Sequence, residues 1–284
     1  MKIFVYLATG KVSSALVSKL VLAGHEVFAG SRSPDKITKK ERLHAVRIDS
    51  QKPTEGLEVL EKVDAAFLIV PPTVVDGYSV LKPLIEKAKT VQLRKFVLMT
   101  AMGVNYAPTE APLRKLELTV EASGLQYNIL RPNWFMQNFH TFWISGILKD
   151  QKIYFPGGNA KTSFIDTRDI SAVASELLTS NQFTNQAFDL TGGEALTHDE
   201  VAAKISKATG KKIEYVDITS EAFQQALLAA GLPTDYVGFL AFIAGILKSG
   251  GATPVSESVY SITGKSPITF DEYATDFKAK WDNH

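Results

Sequence analysis

Short apolar runs alternate with segments of helical periodicity through the first half of the chain, and this alternation constrains the fold more than any other feature. The helix-like segments lie between the runs, near residues 12–20, 78–90 and 113–123. The runs are Ile3–Tyr6, His25–Ala29, Ala45–Asp49, Ala65–Val70, Lys95–Thr100 and Tyr127–Arg131. Apolar strands that alternate with helices are typical of a parallel sheet covered on both faces. The pattern predicts a doubly wound α/β fold.

The second half of the chain has a different pattern of composition and periodicity. A length of 284 residues corresponds to roughly two domains of about 150 residues each. After Pro132 the sequence is rich in aromatic residues and glycine, and past residue 195 it is mainly helical, with short strand candidates such as Ile213–Val216. We predict a parallel-sheet domain over residues 1–155 and a smaller, mainly helical α/β domain over residues 156–284, with some segments returning to the sheet. The crevice between them is the expected ligand site.

The charge balance argues against polyanionic partners. Lys and Arg total 31, Asp and Glu total 30, and the net charge is +1, so no global field attracts nucleic acid or anionic lipid. The most apolar later stretch, Tyr236–Leu247, is shorter than the roughly 20 residues that span a bilayer. The first residues carry no small-residue cleavage site after an apolar segment. We expect a cytoplasmic protein with no nucleic-acid and no membrane partner.

The residues that bind metals are absent or scattered. There is no cysteine, which excludes disulfides, thiolate nucleophiles and Cys-ligated metal centres. The histidines are His25, His44, His140, His198 and His284. None of them shows a ligand spacing such as His-x-x-x-His. We expect no metal site, so redox chemistry would require a bound organic cofactor.

The turn after the first predicted strand has the position of a dinucleotide-binding turn. It opens a helix whose N–H groups and positive dipole end would face a pyrophosphate. Of the three glycines that such a turn ordinarily carries, only the second, Gly10, is present, because Leu7 and Ser13 occupy the other two positions. A left-handed Leu7 would cost roughly 1 to 2 kcal/mol, whereas Ser13 is small. From the residues alone, a dinucleotide site and an ordinary strand-to-helix connection are both open.

A cation stands at the end of the second predicted strand. Arg32 occupies the place where an acidic residue would bind both ribose hydroxyls of NAD. A guanidinium can instead bind a 2′-phosphate through two hydrogen bonds, which favours NADP(H). Lys11 can add a second charge near the phosphates. An ordinary solvated role is the alternative for both residues.

Four stretches of the sequence resemble the NmrA-like family, a group of atypical short-chain dehydrogenases/reductases. The first is residues 8–34, ATGKVSSALVSKLVLAGHEVFAGSRSP. The others are residues 127–138, YNILRPNWFMQN; residues 163–170, SFIDTRDI; and the segment that runs from residues 189–193, DLTGG, to Ala222-Phe223. The likeness covers nearly the whole chain, and the branch it is most similar to contains bacterial NADPH:quinone oxidoreductases.

The resemblance implies a Rossmann-like domain and a smaller C-terminal domain with NADP(H) between them. The cofactor contacts implied by position are Thr9, Gly10, Lys11, Val12, Arg32, Val70, Pro71 and Thr100, with Pro132, Asn133 and Trp134 near the nicotinamide. Two positions depart from the wider superfamily. Ala101 stands where many members carry a serine, and Leu113 stands where many keep a lysine.

The residues for an alcohol–ketone reaction are missing from the expected place. Such reactions use a Tyr that protonates the carbonyl oxygen and a Lys that lowers the pKa of that Tyr. The residue four positions after Tyr106 is Glu110 rather than a lysine. A quinone demands less, because an electron-poor ring can accept hydride from a stacked nicotinamide and take protons from solvent. The expected substrate is therefore a quinone or a similar small-molecule acceptor.

Aromatic side chains follow the sixth predicted strand and can form the apolar slot that such an acceptor needs. We predict that Trp134, Phe135, Asn138 and Phe155 bind the acceptor. Packing in the core is the alternative for the aromatic residues, and a local backbone hydrogen bond is the alternative for Asn138.

Two later segments give structural predictions. Tyr236–Leu247 is apolar around much of a helix. We expect this helix to be buried in the second domain, with a homodimer interface as the alternative. Thr197 and Glu200 have the spacing of a capping box, which predicts a helix that begins there.

Three functions are compatible with the sequence. The first is an NADP(H)-dependent quinone reductase. The second is an NADP-sensing regulatory protein without turnover, because the Tyr and Lys of the superfamily are missing. The third is a family member that has lost dinucleotide binding, because two turn glycines are replaced.

Overall fold

Within residues 1–282, which the computed structural model describes, strands and helices alternate along most of the chain. The strands are β1 (Lys2–Val5), β2 (Glu26–Ser31), β3 (Leu43–Arg47), β4 (Ala65–Ile69), β5 (Lys95–Met99), β6 (Tyr127–Pro132), β7 (Lys152–Phe155), β8 (Gln186–Leu190) and β9 (Glu214–Asp217). The helices are α1 (Lys11–Leu22), α2 (Gly77–Thr90), α3 (Pro112–Glu121), α4 (Ile144–Asp150), α5 (Thr167–Thr179), α6 (His198–Thr209), α7 (Ser220–Ala229), α8 (Thr234–Lys248), α9 (Ser258–Thr263) and α10 (Phe270–Phe277).

Parallel strands form one large sheet in the order β3-β2-β1-β4-β5-β6-β8. The strand order reverses at β1, which lies between β2 and β4. Ligands of doubly wound folds bind outside the carboxyl ends of the strands at such a reversal. The predicted Rossmann-like, doubly wound parallel sheet is confirmed.

Helices cover this sheet because their apolar residues recur on one side. α1 buries Val12, Leu16 and Leu20 and packs against α5. α2 and α3 pack against each other. Their buried leucines and valine join apolar residues of the strands in one cluster, which includes Leu81, Leu84, Leu116, Val120, Phe4, Leu68 and Phe96. Strand β5 is buried at every residue, as expected of a strand covered on both faces.

The chain divides into two compact units. The first comprises Met1–Pro132, Thr167–Leu190 and Ser261–Gly264, and the second comprises Asn133–Asp166, Thr191–Tyr260 and the described chain from Lys265 onward. The sequence predicts a division near residue 155. The long segment of the first unit instead ends at Pro132, where β6 ends, and the chain returns to this unit with α5 and β8.

The second unit combines helices with a two-stranded parallel sheet of β7 and β9, so the predicted smaller, mainly helical α/β domain is confirmed. Its core is rich in aromatic side chains, among them Phe139, Trp143, Phe155, Phe164 and Phe270. The capping box predicted at Thr197 and Glu200 opens α6.

Helix α8 is only half buried. Val237, Leu240 and Leu247 pack inside the second unit, whereas Phe242 is 66% exposed and Ile246 is 43% exposed. The homodimer interface suggested for this helix stays a prediction. Among residues 1–282, no helix combines the length and the apolar character needed to cross a membrane. The cytoplasmic location and the absence of a nucleic-acid partner also stay predictions.

Candidate functional site

The turn between β1 and α1 lies at the carboxyl edge of the large sheet. Leu7 has φ 51°, in the left-handed region that favours glycine. The Gly10 N–H donates to the Leu7 carbonyl at 2.9 Å, and the Ala8 N–H donates to the Gly30 carbonyl of β2 at 2.8 Å. The turn therefore closes with leucine at a position that is ordinarily glycine. The backbone strain predicted for a left-handed Leu7 is present.

The other glycine replacement is accommodated by a hydrogen bond. Ser13 is buried, and its Oγ donates to the Tyr6 carbonyl at 3.0 Å. This bond links α1 to the end of β1 where a third glycine would allow close packing. Gly10 itself is extended, and a Cβ built there would lie 3.2 Å from the Leu7 carbonyl oxygen. A side chain at Gly10 would thus be crowded.

The start of α1 has the features of an anion site. Gly10, the residue before the helix, provides no side-chain cap, and the first turn contains no acidic residue. The first amide N–H groups of a helix have no intrahelical partner, and the positive end of the helix dipole favours an anion. Lys11 remains largely accessible, but nearby protein atoms partly withdraw its ammonium from water and lower its pKa. These features fit the diphosphate of a dinucleotide.

Arg32 follows β2 at the same edge of the sheet. Its side chain is exposed, and no acidic residue among those described pairs with it. The Ser33 N–H donates to Ser31 Oγ at 3.1 Å, which holds the backbone of the turn on both sides of Arg32. Arg47, at the carboxyl end of the neighbouring β3, donates from Nη1 to the Arg32 carbonyl at 3.1 Å. No local sequence pattern marks Arg47, because its proximity to Arg32 depends on the pairing of β2 and β3.

The remaining predicted cofactor contacts of the first unit lie at strand ends. Val70 and Pro71 follow β4, and Pro71 is buried. A Cβ built at Gly77, the first residue of α2, would lie 2.7 Å from the methyl groups of Val70, so the loop and the helix are in close contact. Thr100 follows β5 and is 8% exposed. Pro132 ends β6, and its carbonyl accepts the Met102 N–H at 3.0 Å.

Thr100 belongs to a buried polar network that no local sequence pattern indicates. Its Oγ1 donates to Glu117 Oε1 at 2.7 Å. The Glu117 side chain is 0% exposed and also accepts hydrogen bonds from Arg131 at 2.9 and 2.8 Å and from Arg114 at 2.9 Å. A buried carboxylate is tolerated when charged donors satisfy it. This network joins α3 to β5 and β6.

The tyrosines that follow β1 and β5 lack the setting of a proton donor, whereas Tyr78 in α2 is partly buried with the Lys115 ammonium 4.2 Å from the centre of its ring. Tyr106 is 86% exposed. Tyr6 is buried, and burial together with the nearby Asp49 raises its pKa to about 12. Leu113, at the lysine position, packs against the apolar cluster of α2 and α3. The position at which many superfamily members keep a lysine is thus occupied by an apolar residue.

In the second unit, Asn133 uses its whole side-chain amide internally. Nδ2 donates to Ser163 Oγ and to the Ala252 carbonyl, both at 2.8 Å, and Oδ1 accepts the Trp134 N–H at 2.9 Å. These bonds fix the backbone from which Trp134 projects. The Trp134 indole is half-buried and lies 6.2 Å from the Trp143 ring in a stacked arrangement and 5.3 Å from the Phe155 ring edge-on.

The four predicted acceptor residues differ in accessibility. Trp134, Phe135 and Asn138 are partly exposed, whereas Phe155 is completely buried. Phe155 therefore supports the Trp134 ring from inside the unit. No hydrogen-bond partner of the Asn138 side-chain amide is found among residues 1–282, although its backbone N–H donates to the Phe135 carbonyl at 3.1 Å. The Asn138 amide is thus available to a ligand.

A histidine also lies in this aromatic core. His198 is 0% exposed, and neither of its ring nitrogens has a hydrogen-bond partner. Burial lowers its pKa to about 4, against a smaller opposing effect of Asp217. In the part of the chain that the structure describes, no three His, Asp or Glu residues are grouped so that they could hold a metal ion. His284 lies outside the described residues.

Comparison with known proteins agrees with this architecture. The NAD(P)H azoreductase of Xenophilus azovorans is 33% identical over 232 residues, which is 80% of this chain and 79% of that protein. The NADPH-dependent quinone oxidoreductase of Escherichia coli, complexed with NADPH, matches with a TM-score of 0.85 and 20% identity over 98% of this chain and 99% of that chain. The negative transcriptional regulator NmrA, in complex with NADP, matches with a TM-score of 0.79 and 15% identity over 98% and 95% of the two chains. These two structures show a shared fold. Residues 1–274 match the NmrA-like family, and with this match and the sequence identity to the azoreductase, the chain belongs to the NmrA-like family.

Proposed function

We propose that this protein is an NADP(H)-dependent oxidoreductase that transfers hydride to a quinone or a similar small, electron-poor acceptor. The observation that carries the proposal is the unpaired Arg32 guanidinium at the same sheet edge as the uncapped start of α1. The helix start suits a diphosphate, and the guanidinium suits a ribose 2′-phosphate. Family membership supports the proposal, because relatives and structural neighbours are named as an azoreductase and a quinone oxidoreductase.

The first unit is proposed to hold the dinucleotide. Thr9, Gly10, Lys11 and Val12 bind the diphosphate, and Arg32 binds the 2′-phosphate. The missing side chain of Gly10 allows the closest approach of the backbone. Val70, Pro71 and Thr100 border the cofactor at the ends of β4 and β5, where Thr100 is held in place by Glu117.

The nicotinamide contacts are proposed to be Pro132, Asn133 and Trp134, which follow one another at the end of β6. Asn133 acts by fixing the backbone, since its amide is already bonded within the second unit. Trp134 and Phe135 offer an apolar surface for a flat acceptor, and Phe155 supports Trp134. The Asn138 amide donates a hydrogen bond to an acceptor oxygen.

The cofactor, when bound, supplies the hydride. The protein orients the acceptor against the cofactor, which is sufficient for a quinone because the ring accepts the hydride and then one proton from solvent to give the hydroquinone. Leu113 at the lysine position and Glu110 four residues after Tyr106 are compatible with this chemistry and disfavour ketone reduction.

Titration of the protein with NADPH and NADH tests the cofactor half of the proposal. We expect NADPH to bind more tightly than NADH, and Arg32→Ala to weaken NADPH binding by about 10- to 100-fold, as expected for the loss of a charged hydrogen bond. NADH binding should change little in the variant. Failure of both dinucleotides to bind would reject the proposal and favour the family member without a cofactor.

Measurement of NADPH oxidation tests hydride transfer to the acceptor, which is the other half of the proposal. NADPH oxidation should be rapid only when a quinone or an azo compound is present. Asn138→Leu should raise the KM for a quinone by about 2- to 10-fold, the value of one neutral hydrogen bond, with NADPH affinity unchanged. The matched control is Asn159→Leu, at an exposed asparagine of the same unit, which should behave as the wild type.

An NADP-sensing protein without turnover is the second candidate. It is favoured by the apolar Leu113 at the lysine position of the superfamily and by the likeness to a transcriptional regulator in complex with NADP. Tight NADPH binding with no oxidation by any quinone or azo acceptor would support this candidate over the reductase.

A further inference from the structure

Two arginines meet at one corner of the large sheet. In the parallel register of β2 and β3, Arg47 lies opposite Ser31, the residue before Arg32. Arg47 Nη1 donates to the Arg32 carbonyl oxygen at 3.1 Å. The guanidinium of Arg47 therefore lies against the peptide that carries Arg32.

This contact completes the restraint of the Arg32 turn. Before Arg32, the Ser31 carbonyl accepts the Ile48 N–H of the neighbouring chain segment at 3.1 Å. After Arg32, the Ser33 N–H donates to Ser31 Oγ at 3.1 Å. Arg47 holds the carbonyl that lies between these two bonds. The backbone from which the Arg32 side chain starts is thus fixed before any ligand arrives, which lowers the entropic cost of binding.

The two arginines also concentrate positive charge that the protein does not neutralise. Among residues 1–282, no Asp or Glu pairs with Arg32 or Arg47, and both side chains are exposed. Two cations of the same region are paired in contrast, since Arg42 contacts Glu41 at 3.6 Å and Lys52 contacts Glu55 at 3.1 Å. Unpaired guanidiniums attract a phosphate dianion and can bind it through parallel hydrogen bonds.

We propose that Arg47 is a specificity-determining residue that works with Arg32 to select a 2′-phosphorylated nucleotide over its unphosphorylated counterpart. It positions Arg32 through the Arg32 carbonyl and adds a second positive charge at the 2′-phosphate. This inference rests on the proposed function, because it assumes a dinucleotide at the edge of this sheet.

Calorimetric titration of Arg47→Gln, Arg47→Lys, Arg32→Gln and the Arg32→Gln/Arg47→Gln double variant tests the inference. The probes are NADPH and NADH, with adenosine 2′,5′-bisphosphate and AMP as fragments that differ only in the 2′-phosphate. We expect Arg47→Gln to weaken NADPH and the bisphosphate about tenfold and to leave NADH and AMP within about twofold. Arg47→Lys should keep part of the charge and lie between Arg47→Gln and the wild type.

The control is Arg42→Gln, which removes an exposed arginine just before the amino end of β3 and should leave NADPH affinity within about twofold. In the double variant, a loss smaller than the product of the two single losses would show that Arg47 acts partly through Arg32. Equal weakening of NADPH and NADH by Arg47→Gln would assign Arg47 a merely structural role and overturn the inference. Unchanged NADPH affinity in Arg47→Gln would overturn it while the proposed function stands. If the wild type binds neither dinucleotide, the inference about Arg47 and the proposed function both fail.

Discussion

At the scale of single residues, the turn after β1 shows how a glycine motif can be replaced. Leu7 adopts a positive φ, at a cost of roughly 1 to 2 kcal/mol, and Ser13 turns its hydroxyl to the Tyr6 carbonyl. Leu7 also packs against the apolar cluster of α2 and α3, which offsets part of the strain. The backbone of the turn thus keeps its shape although two of three glycines are absent.

His198 gives a residue-scale prediction of acid sensitivity. The pKa of about 4 in the folded protein lies below the unfolded value of about 6.5, so the unfolded chain binds more protons between these values. The stabilising contribution of neutral His198 is complete above about pH 6.5 and is lost as the pH falls through about 4. We expect the free energy of unfolding to decrease by about 3 kcal/mol over this interval through His198 alone. Urea unfolding at a series of pH values measures it.

The variants for this test are His198→Phe and His198→Leu. Aromatic rings surround His198, with the Phe155 ring at 4.9 Å and the Tyr215 ring at 5.1 Å, so an apolar side chain suits the site. In either variant, the free energy of unfolding should fall less steeply between pH 6.5 and 4 than in the wild type. The readout is the slope of the free energy of unfolding against pH, because a change in packing alters this free energy equally at every pH. An equal slope in the wild type and in both variants would contradict the prediction.

At the scale of elements, the Glu117 network ties α3 to the sheet. Glu117→Leu leaves Arg131, which is 11% exposed, without its carboxylate partner and leaves Arg114, which is 18% exposed, with Glu121 alone. Removal of one partner from a buried ion pair costs about 3 to 5 kcal/mol, and we expect a loss of that size in the free energy of unfolding. Chemical denaturation measures the loss.

Two further variants separate the buried charge from general effects on α3. Glu121→Leu removes a carboxylate that contacts the same Arg114 at 3.1 Å but is 31% exposed, and it should cost less than about 1 kcal/mol. The double variant Glu117→Leu/Arg131→Met should recover part of the loss, because it removes the unpaired guanidinium. A cost for Glu117→Leu no larger than that for Glu121→Leu would contradict the assignment.

At the scale of the whole molecule, the chain path decides which fragment can fold. The first unit takes α5 and β8 from beyond residue 155. α5 packs against α1, and β8 pairs with β6. A fragment of residues 1–155 would expose one side of α1 and one edge of β6, and we expect it not to unfold cooperatively.

The matched fragment joins residues 1–132 to residues 167–190 through a short Gly-Ser linker. It restores α5 and β8 and should show a cooperative thermal transition by circular dichroism together with dispersed amide resonances. Cooperative unfolding of the 1–155 fragment would refute this account of the first unit.

The sequence by itself determined the elements of the large sheet that are mainly apolar. β1, β4, β5 and β6 match predicted runs to within one residue at each end, because strands covered on both faces form nearly continuous apolar runs. β8 was not predicted. Its first residues, Gln186 and Ala187, are exposed, so it lacks a continuous apolar run. The α6 capping box was predicted because it depends only on local residues.

Only the tertiary structure decided which distant residues come together. The pairing of Arg47 with the Arg32 carbonyl depends on the register of β2 and β3, and the Glu117 network depends on the packing of α3 against β5 and β6. A local sequence pattern reports periodicity and capping, which are properties of neighbouring residues. Contacts between residues far apart in the chain arise from strand order and helix packing, and these form only when the whole sheet is assembled.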